Sequence, residues 1–563
     1  MRSNAFTIFS YAINILLIVY FFWFIIPYFQ NLILEDDFLC LLKPVLNQKN
    51  GSPFSDLFIH YSDHRIFLIK TLSLVSYYLR GQVDVRLMGF GLLLVILGMI
   101  YWFYLLYRKS NTPIIYLVPV LLSILHLQYY EALLWVQSGY NYDLVILLVG
   151  FSIYSYVFAK RWQLAISVIC CIVATLTFGS GLFSWVILLL MIAWKKDWKT
   201  FSVFSIITIL IFFFYMHGHK RAEYLHTISL DSIQKSLLYI IEGVFLFISS
   251  FVYPEYSNSN SLGIISGLAI VLCISLSFFK INGKLFKANF PESDFNKVII
   301  CLFFLLVFIL IISCVTSFGR TENPENMWVL MTSRYRFYSS IAVALTYSLY
   351  VINFNQYRKL IFVTGFSFCL FFNLLTYKVY RPKIDSFYKA FDCSMANWQK
   401  NGIGLLHWNQ IEADSIMKAS LKGGIYQINN SSRFFEVTKK LALLDFPLNT
   451  DKRIGFKVSK EKIDRKFNNF HTSETVYSFS DTDFKQLQQR ENGAYIVLKS
   501  NNTIFYFPTI QNVYSGYNFF KEGKGFNATI RSPYLNKGIY EVYILVIEKK
   551  DFNLISTREK IEI

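Results

Sequence analysis

Three adjacent carboxylates and an aromatic ring, Glu35-Asp36-Asp37-Phe38, stand just beyond a long apolar run. Like charges this close raise one another's pKa, so the group is poised to bind a cation or accept a proton. An ordinary solvated helix start explains the same residues, because acids suit a first helical turn. Further on comes His60-Tyr61-Ser62-Asp63-His64-Arg65. Two histidines four apart share one face of a helix, so a zinc site is one reading, although the glutamate of a metalloprotease motif is absent. The preferred reading is a set of donors for an anionic ligand, with Arg65 offering a bidentate fork to phosphate and His64 touching substrate.

Arg320 and then Ser333-Arg334-Tyr335-Arg336 precede another apolar run. Pairing with Glu322 and Glu325 explains these arginines in one way; a lipid phosphate at that depth is the preferred reading. Glu131, Trp135, Gln137, Tyr140 and Asn141 gather in one short stretch, and Lys220 with Arg221 opens a further loop. Aromatic rings among polar groups suit sugar stacking, while Trp and Tyr are also routine at membrane interfaces, the stronger reading for Trp135 alone. Walker A, GxGxxG, GxSxG and kinase signatures are absent, so no nucleotide is expected. Chemistry outside the membrane must then use a pre-activated substrate.

The elements that must position these groups are apolar. Of 563 residues, 54% are hydrophobic, 18% aromatic and only 16% charged, and the mean hydropathy is +0.41. Residues 1–378 carry the long apolar runs and 379–563 read as a polar domain. The formal charge of +18 caps apolar runs rather than forming one patch, which argues against nucleic acid. Runs of about 20 apolar residues fall at 6–28, 86–107, 113–130, 142–159, 163–178, 181–194, 200–216, 261–279, 298–317, 337–353 and 360–377. Basic knots at Arg108–Lys109, Lys160–Arg161, Lys195–Lys199, Lys280–Lys287 and Arg358–Lys359 separate alternate ends. The positive-inside rule makes them cytoplasmic, with an internal N-terminus, a retained first span and an external tail. Segments 28–86, 217–262, 316–336 and 379–563 then lie outside. Ser236–Tyr253 is apolar enough to cross but carries Glu242 and Gly243, so a re-entrant or interfacial helix is preferred to a twelfth span. In the tail, alternating runs at Ala494–Leu498, Thr503–Phe507, Phe526–Ile530 and Tyr540–Ile547 predict a small β-sandwich closing an α+β domain. Of eight cysteines, most fall inside apolar runs; Cys40 and Cys393 fall outside them, and a disulfide between those two is left open.

An apolar span, an acidic pair followed by an aromatic, many further spans and a soluble tail resemble the GT-C glycosyltransferases, which take sugar from a polyprenyl-phosphate lipid. Within that superfamily the layout is similar to the bacterial type-specific O-antigen glucosyltransferases. The residues that carry the resemblance are Asp36, Asp37 and Phe38, and more loosely Arg334 and Arg336. Glu35 beside them leaves the acidic pair's register open by one position. The resemblance implies an enzyme of the bacterial inner membrane with a periplasmic C-terminal domain, moving a hexose onto a surface glycan such as O-antigen of lipopolysaccharide. Asp36, or a neighbouring acid, would take the proton from the acceptor hydroxyl, and inversion would follow. Arg334, Arg336, Arg65 or Lys220 would stabilise the leaving phosphate. A divalent metal, Mg or Mn, would sit at Asp36 and Asp37 if one is used. The implied partners are the lipid-linked donor, the glycan acceptor and membrane lipids.

Two other classes share the layout. A glycan polymerase or ligase would rely on outer arginines without needing a carboxylate after the first span. A transporter or flippase would place charge near the middle of its spans, which here are nearly free of it.

Overall fold

The computed structural model describes residues 2–61, 64–158, 163–218, 230–252, 261–285, 293–320, 329–429, 432–441, 455–467, 470–484, 489–501, 503–514, 521, 523–549 and 551–563. The described chain is mostly α-helical, with antiparallel strands confined to its C-terminal part. Among the described residues six helices are long and apolar enough to cross a membrane: Ala5–Tyr28, Val85–Lys109, Val136–Phe158, Trp198–Met216, Asp294–Arg320 and the apolar part of Asn355–Asn401. Shorter apolar helices cover Ile114–Ile124, Leu164–Thr177, Gly179–Trp194, Leu237–Ser249 and Ser261–Leu276. These make the chain a multi-pass membrane protein.

The run expected as one span at 113–130 is interrupted. Its helix stops at Ile124, Leu125 leaves helical geometry at φ −89° and ψ 71°, and a short helix restarts at Tyr130–Leu134. The run at 337–353 becomes the helix Arg336–Asn353, which is buried along most of its length. The last long helix, Arg358–Asn401, has 44 residues. At 1.5 Å per residue it is about 66 Å long, twice what a hydrocarbon core of about 30 Å needs. Its apolar half ends near Tyr377, and its second half carries Lys378, Arg381, Asp385, Lys389 and Asp392.

The chain forms two compact units. Unit 1 comprises Met1–Pro27, Pro53–Leu72 and Leu87–Asn373; unit 2 comprises Tyr28–Ser52, Ser73–Arg86 and Leu374–Ile563. Unit 1 is the helical bundle. Its helices approach closely where glycine allows it: a Cβ on Gly267 would overlap the Phe245 main-chain carbonyl.

Unit 2 is built on two four-stranded antiparallel sheets. Its strands are β1 (Phe456–Phe467), β2 (Phe470–Asp481), β3 (Gly493–Lys499), β4 (Ile504–Pro508), β5 (Ile510–Gln511), β6 (Phe526–Arg531), β7 (Ile539–Ile547) and β8 (Phe552–Glu562). One sheet runs β1-β2-β6-β5 and the other β4-β3-β7-β8. Alternation turns Tyr477, Phe479, Ala528 and Ile530 of the first sheet and Ile496, Leu498, Val542 and Ile544 of the second into one apolar cluster. Asn397 docks the long helix on the β4 edge, its amide donating to the Tyr506 carbonyl and accepting from the Tyr506 N–H, both at 2.8 Å. The first-loop segments are part of the same unit. The Val83 N–H donates to the Ile425 carbonyl at 2.8 Å, and the Tyr426 hydroxyl donates to the Asn31 carbonyl at 2.6 Å. Cys40 and Cys393 are both buried free thiols, so the disulfide left open by the sequence is not formed.

Candidate functional site

In unit 2 the acidic residues follow a strained turn. Glu35 has φ +44°, a left-handed backbone uncommon for a residue with a side chain. Its N–H donates to the Leu406 carbonyl at 2.6 Å, and the Asp37 N–H closes the turn on Leu34 at 2.8 Å. Asp37, 1% exposed, accepts the Leu34 N–H on Oδ2 at 3.3 Å. Asp36 keeps its side chain half-buried, while its carbonyl receives the N–H groups of Leu39 and Cys40. A short π-helix, Phe38–Leu42, carries the chain onward. The three acids therefore differ in role: Asp37 braces the turn, and Glu35 and Asp36 remain partly open.

Two groups that the sequence reading missed border this turn. His407 is 0% exposed; its Nδ1 lies 2.9 Å from the main chain of Asn409, and its buried Nε2 has no hydrogen-bond partner among the described residues. Trp408, stacked on His407 with centroids 5.6 Å apart, is 73% exposed. The Tyr534 phenol is pushed up by burial and by the charge of Glu35. Only His407-Trp408-Asn409, an odd polar and aromatic knot in the tail, could have signalled this in the sequence.

In unit 1 the residues picked from separate loops are brought together. Tyr142 is the hub: its ring lies 5.1 Å from Phe178 and 5.2 Å from Tyr335, and Phe178 lies 3.9 Å from the imidazole of His64. Arg334, half-buried, rests over Tyr335 at 5.6 Å, and the charges of Arg334 and Arg320 reach the Tyr142 hydroxyl. Gly179 makes the approach possible, since a Cβ there would lie 2.7 Å from His64 Nδ1. Glu131 joins through its main chain, its N–H donating to Ser333 Oγ at 3.2 Å, and Ser333 Oγ donates to the Gln128 carbonyl at 2.7 Å. Trp135, partly exposed, is the extended residue between two helical turns.

Other sequence candidates have structural partners. Arg65 directs its guanidinium at four carbonyls: Tyr215 at 3.0 Å, Phe58 at 2.6 Å, Phe214 at 2.9 Å and His217 at 2.5 Å. It thereby caps the C-terminal end of the helix Trp198–Met216, where orphan carbonyls and the dipole favour a cation. Buried Arg336 donates Nε to the Met331 carbonyl at 2.9 Å. The Tyr140 hydroxyl donates to the Met88 carbonyl at 3.0 Å. His60 and His64 do not share a helix face as the zinc reading needs, because Tyr61 and His64 pair across a tight bridge. Lys220, Asp63, Glu322 and Glu325 lie outside the described residues. No group of three metal-ligating side chains occurs among the described residues.

Beside Tyr142 the helix loosens into a π-turn, Tyr140–Leu144, a form frequent at functional sites. It carries Asn141 and Asp143, one turn beyond Gln137 and Ser138. Asp143 was read as part of an apolar span; it is the one acid in that run, which is the signal that could have marked it. The architecture is that of a multi-pass helical membrane protein with a second, β-rich unit. Compared with models of protein families, with curated proteins and with solved structures, the chain finds no match.

Proposed function

We propose that the protein is a membrane glycosyltransferase that moves a hexose from a polyprenyl-phosphate carrier to a surface glycan. The carrying observation is the gathering of His64, Glu131, Tyr142, Arg334 and Tyr335 from loops far apart in the chain into one aromatic and polar layer of unit 1. In this reading these loops all lie at the outer ends of eleven spans, where a lipid-linked sugar presents its head group. Arg334, whose side chain is half-buried where those of Arg65 and Arg336 are buried, is the phosphate ligand. Its planar fork matches a phosphate oxygen pair. Asp36, the partly open acid of the turn in unit 2, is the base that takes the acceptor's proton.

A lipid-linked-sugar transporter is the second reading, favoured by one observation: Asp143 is a buried carboxylate inside the apolar helix Val136–Phe158, as transport sites require. One experiment separates them. The purified protein in nanodiscs is given polyprenyl-phosphate glucose and a glycan acceptor. The transferase reading expects glycan product, lost with Asp36→Asn. Donor bound and moved between leaflets without product favours transport, and no interaction with the donor at all removes both.

A further inference from the structure

Side-chain oxygens left without partners are rare inside proteins, because each buried orphan costs about 1–3 kcal/mol. In unit 1 four of them fall on one stretch of chain. Gln137 Oε1, Ser138 Oγ, Asn141 Oδ1 and Asp143 Oδ1 are buried and have no hydrogen-bond partner among the described residues. On facing elements the Ser180 Oγ and the Tyr338 hydroxyl are buried too, within hydrogen-bonding reach of each other. The Tyr338 hydroxyl faces both Ser180 and Asp143, so Asp143, Tyr338 and Ser180 form the centre of the group. Asp143 is 2% exposed. Four unpartnered oxygens within the seven residues Gln137–Asp143 make this a feature of that stretch of the fold and not of one side chain.

The chemistry of the set is uniform. Every one of these atoms is an oxygen; those of Gln137 and Asn141 only accept, while the hydroxyls of Ser138, Ser180 and Tyr338, and the Asp143 carboxyl, which keeps its proton when buried with no cation beside it among the described residues, both donate and accept. A ligand that satisfies them must present several O–H donors within a few ångströms. The rings of Tyr142, Tyr335 and Tyr338 lie alongside, with Tyr142 5.2 Å from Tyr335 and 6.3 Å from Tyr338. They offer flat apolar faces beside the oxygens, and a pyranose has the matching pair of properties: hydroxyls around its rim and an apolar C–H face.

We infer that Asp143, Tyr338 and Ser180, with Asn141 on the π-turn and Gln137 one turn before it, form a hexose-binding subsite whose Asp143 carboxyl group exchanges hydrogen bonds with sugar hydroxyls. Assignment of that hexose to the lipid-linked donor rests on the proposed function; the sugar site itself does not. Asp143 thereby becomes the residue that selects the sugar, and Arg334 remains the one that holds the phosphate.

The test uses the full chain in nanodiscs, with Asp143→Asn and Tyr338→Phe as separate variants. Affinity is measured for polyprenyl phosphate, for polyprenyl-phosphate glucose, and for short alkyl hexosides of glucose, galactose and mannose. The expected result is that glucose adds affinity to the lipid phosphate in the native protein. Asp143→Asn reduces that gain on the order of 3–10-fold, as the loss of a neutral hydrogen bond does. Tyr338→Phe, which keeps the ring, reduces it on the order of 3–10-fold. Bare polyprenyl phosphate binds all three proteins alike. Asp143-dependent binding of hexosides by a protein that ignores both lipids supports the subsite and rejects the lipid-donor reading. A glucose gain that survives both variants overturns the subsite. So does a native protein that binds the two lipids equally and no hexoside. Stabilisation by Na⁺ or K⁺ that is lost in Asp143→Asn, with no response to hexose, also overturns it and makes the oxygen set a cation site.

Discussion

The Phe38 ring meets the His407 imidazole edge to face, centroids 5.6 Å apart and planes at 76°. This contact, with the Glu35–Leu406 hydrogen bond beside it, pins the acidic turn to a segment of the tail. Replacing His407 with Ala removes the ring from a fully buried position. The expected cost is about 2–4 kcal/mol, by analogy with other large-to-small core changes, read as a lower melting temperature of the full chain. An unchanged melting temperature would mean that the turn stands without the tail.

Asp36 and Asp37 should separate in their effects. Asp37→Ala leaves the Leu34 N–H without its acceptor in a buried place and is expected to cost about 1–3 kcal/mol of stability. Asp36→Asn keeps the turn and removes the proposed base, so the melting temperature holds while glycan transfer falls about 10²–10⁴-fold. Equal effects of the two variants on both measurements would contradict this division.

Arg65 is expected to behave as a structural residue. Arg65→Ala strips four carbonyls of their donor, and hydrogen bonds from a charged group contribute about 1.5–3 kcal/mol each in favourable cases. Low yield and early melting should follow, with Arg65→Lys recovering only part. Arg334→Ala is expected to melt like the native protein and to lose affinity for polyprenyl phosphate. Normal stability in Arg65→Ala would refute the capping role.

Gly267→Ala tests a close helix approach in unit 1. The added Cβ meets main-chain atoms of Phe245, not the movable end of a side chain, so the helices Leu230–Ser249 and Ser261–Leu285 must part. Overpacking of this kind costs about 1–3 kcal/mol or more. Gly319→Ala, which meets nothing within 4 Å, is the control, expected to be neutral in the same melting assay.

A pH dependence is built into unit 2 through Asp392, whose carboxyl is pushed up to about 7 by burial, with the charge of Glu491 adding and Ser432 opposing. A carboxyl raised in the folded state binds its proton there at pH values where the unfolded chain has released it. Stability is therefore lost as pH rises from the unfolded value near 4 toward 7, by about 2–4 kcal/mol. Asp392→Asn should abolish this slope and leave the variant more stable than the native protein at pH 8, measured by melting from pH 4 to 8. A native slope matched by the variant would assign the pH dependence to other groups.

The apolar runs announced the long helices, because about 20 residues without charge have few other uses. The predicted runs at 494–498, 503–507, 526–530 and 540–547 coincide with β3, β4, β6 and β7 to within a residue or two, since their alternation is clean. β1 and β8 were not legible: KVSKEKIDRK and LISTREKIE carry so many lysines, arginines and acids that the period of two is hidden, as suits strands at sheet edges. The candidate site was half legible. Residue type marked Asp36 and Arg334, and spacing could not tell that Arg65 would be consumed by four carbonyls. Asp143 was hidden by its apolar neighbours. His407 was hidden because its significance comes from Phe38, a contact between segments far apart in sequence.

Unit 2 takes its first strands of chain from residues 28–52 and 73–86 and the remainder from 374–563. A ribosome makes these pieces in order. At roughly 5–20 residues per second, the acidic turn emerges about half a minute to a minute and three quarters before β8 exists to complete the sheet that closes its unit. During that interval Phe38, Leu41 and Val45, all buried in the finished protein, have no tail to cover them. Biogenesis of this protein therefore depends on something that shelters an early loop through the insertion of every later helix, and the acid turn is assembled last although it is translated almost first.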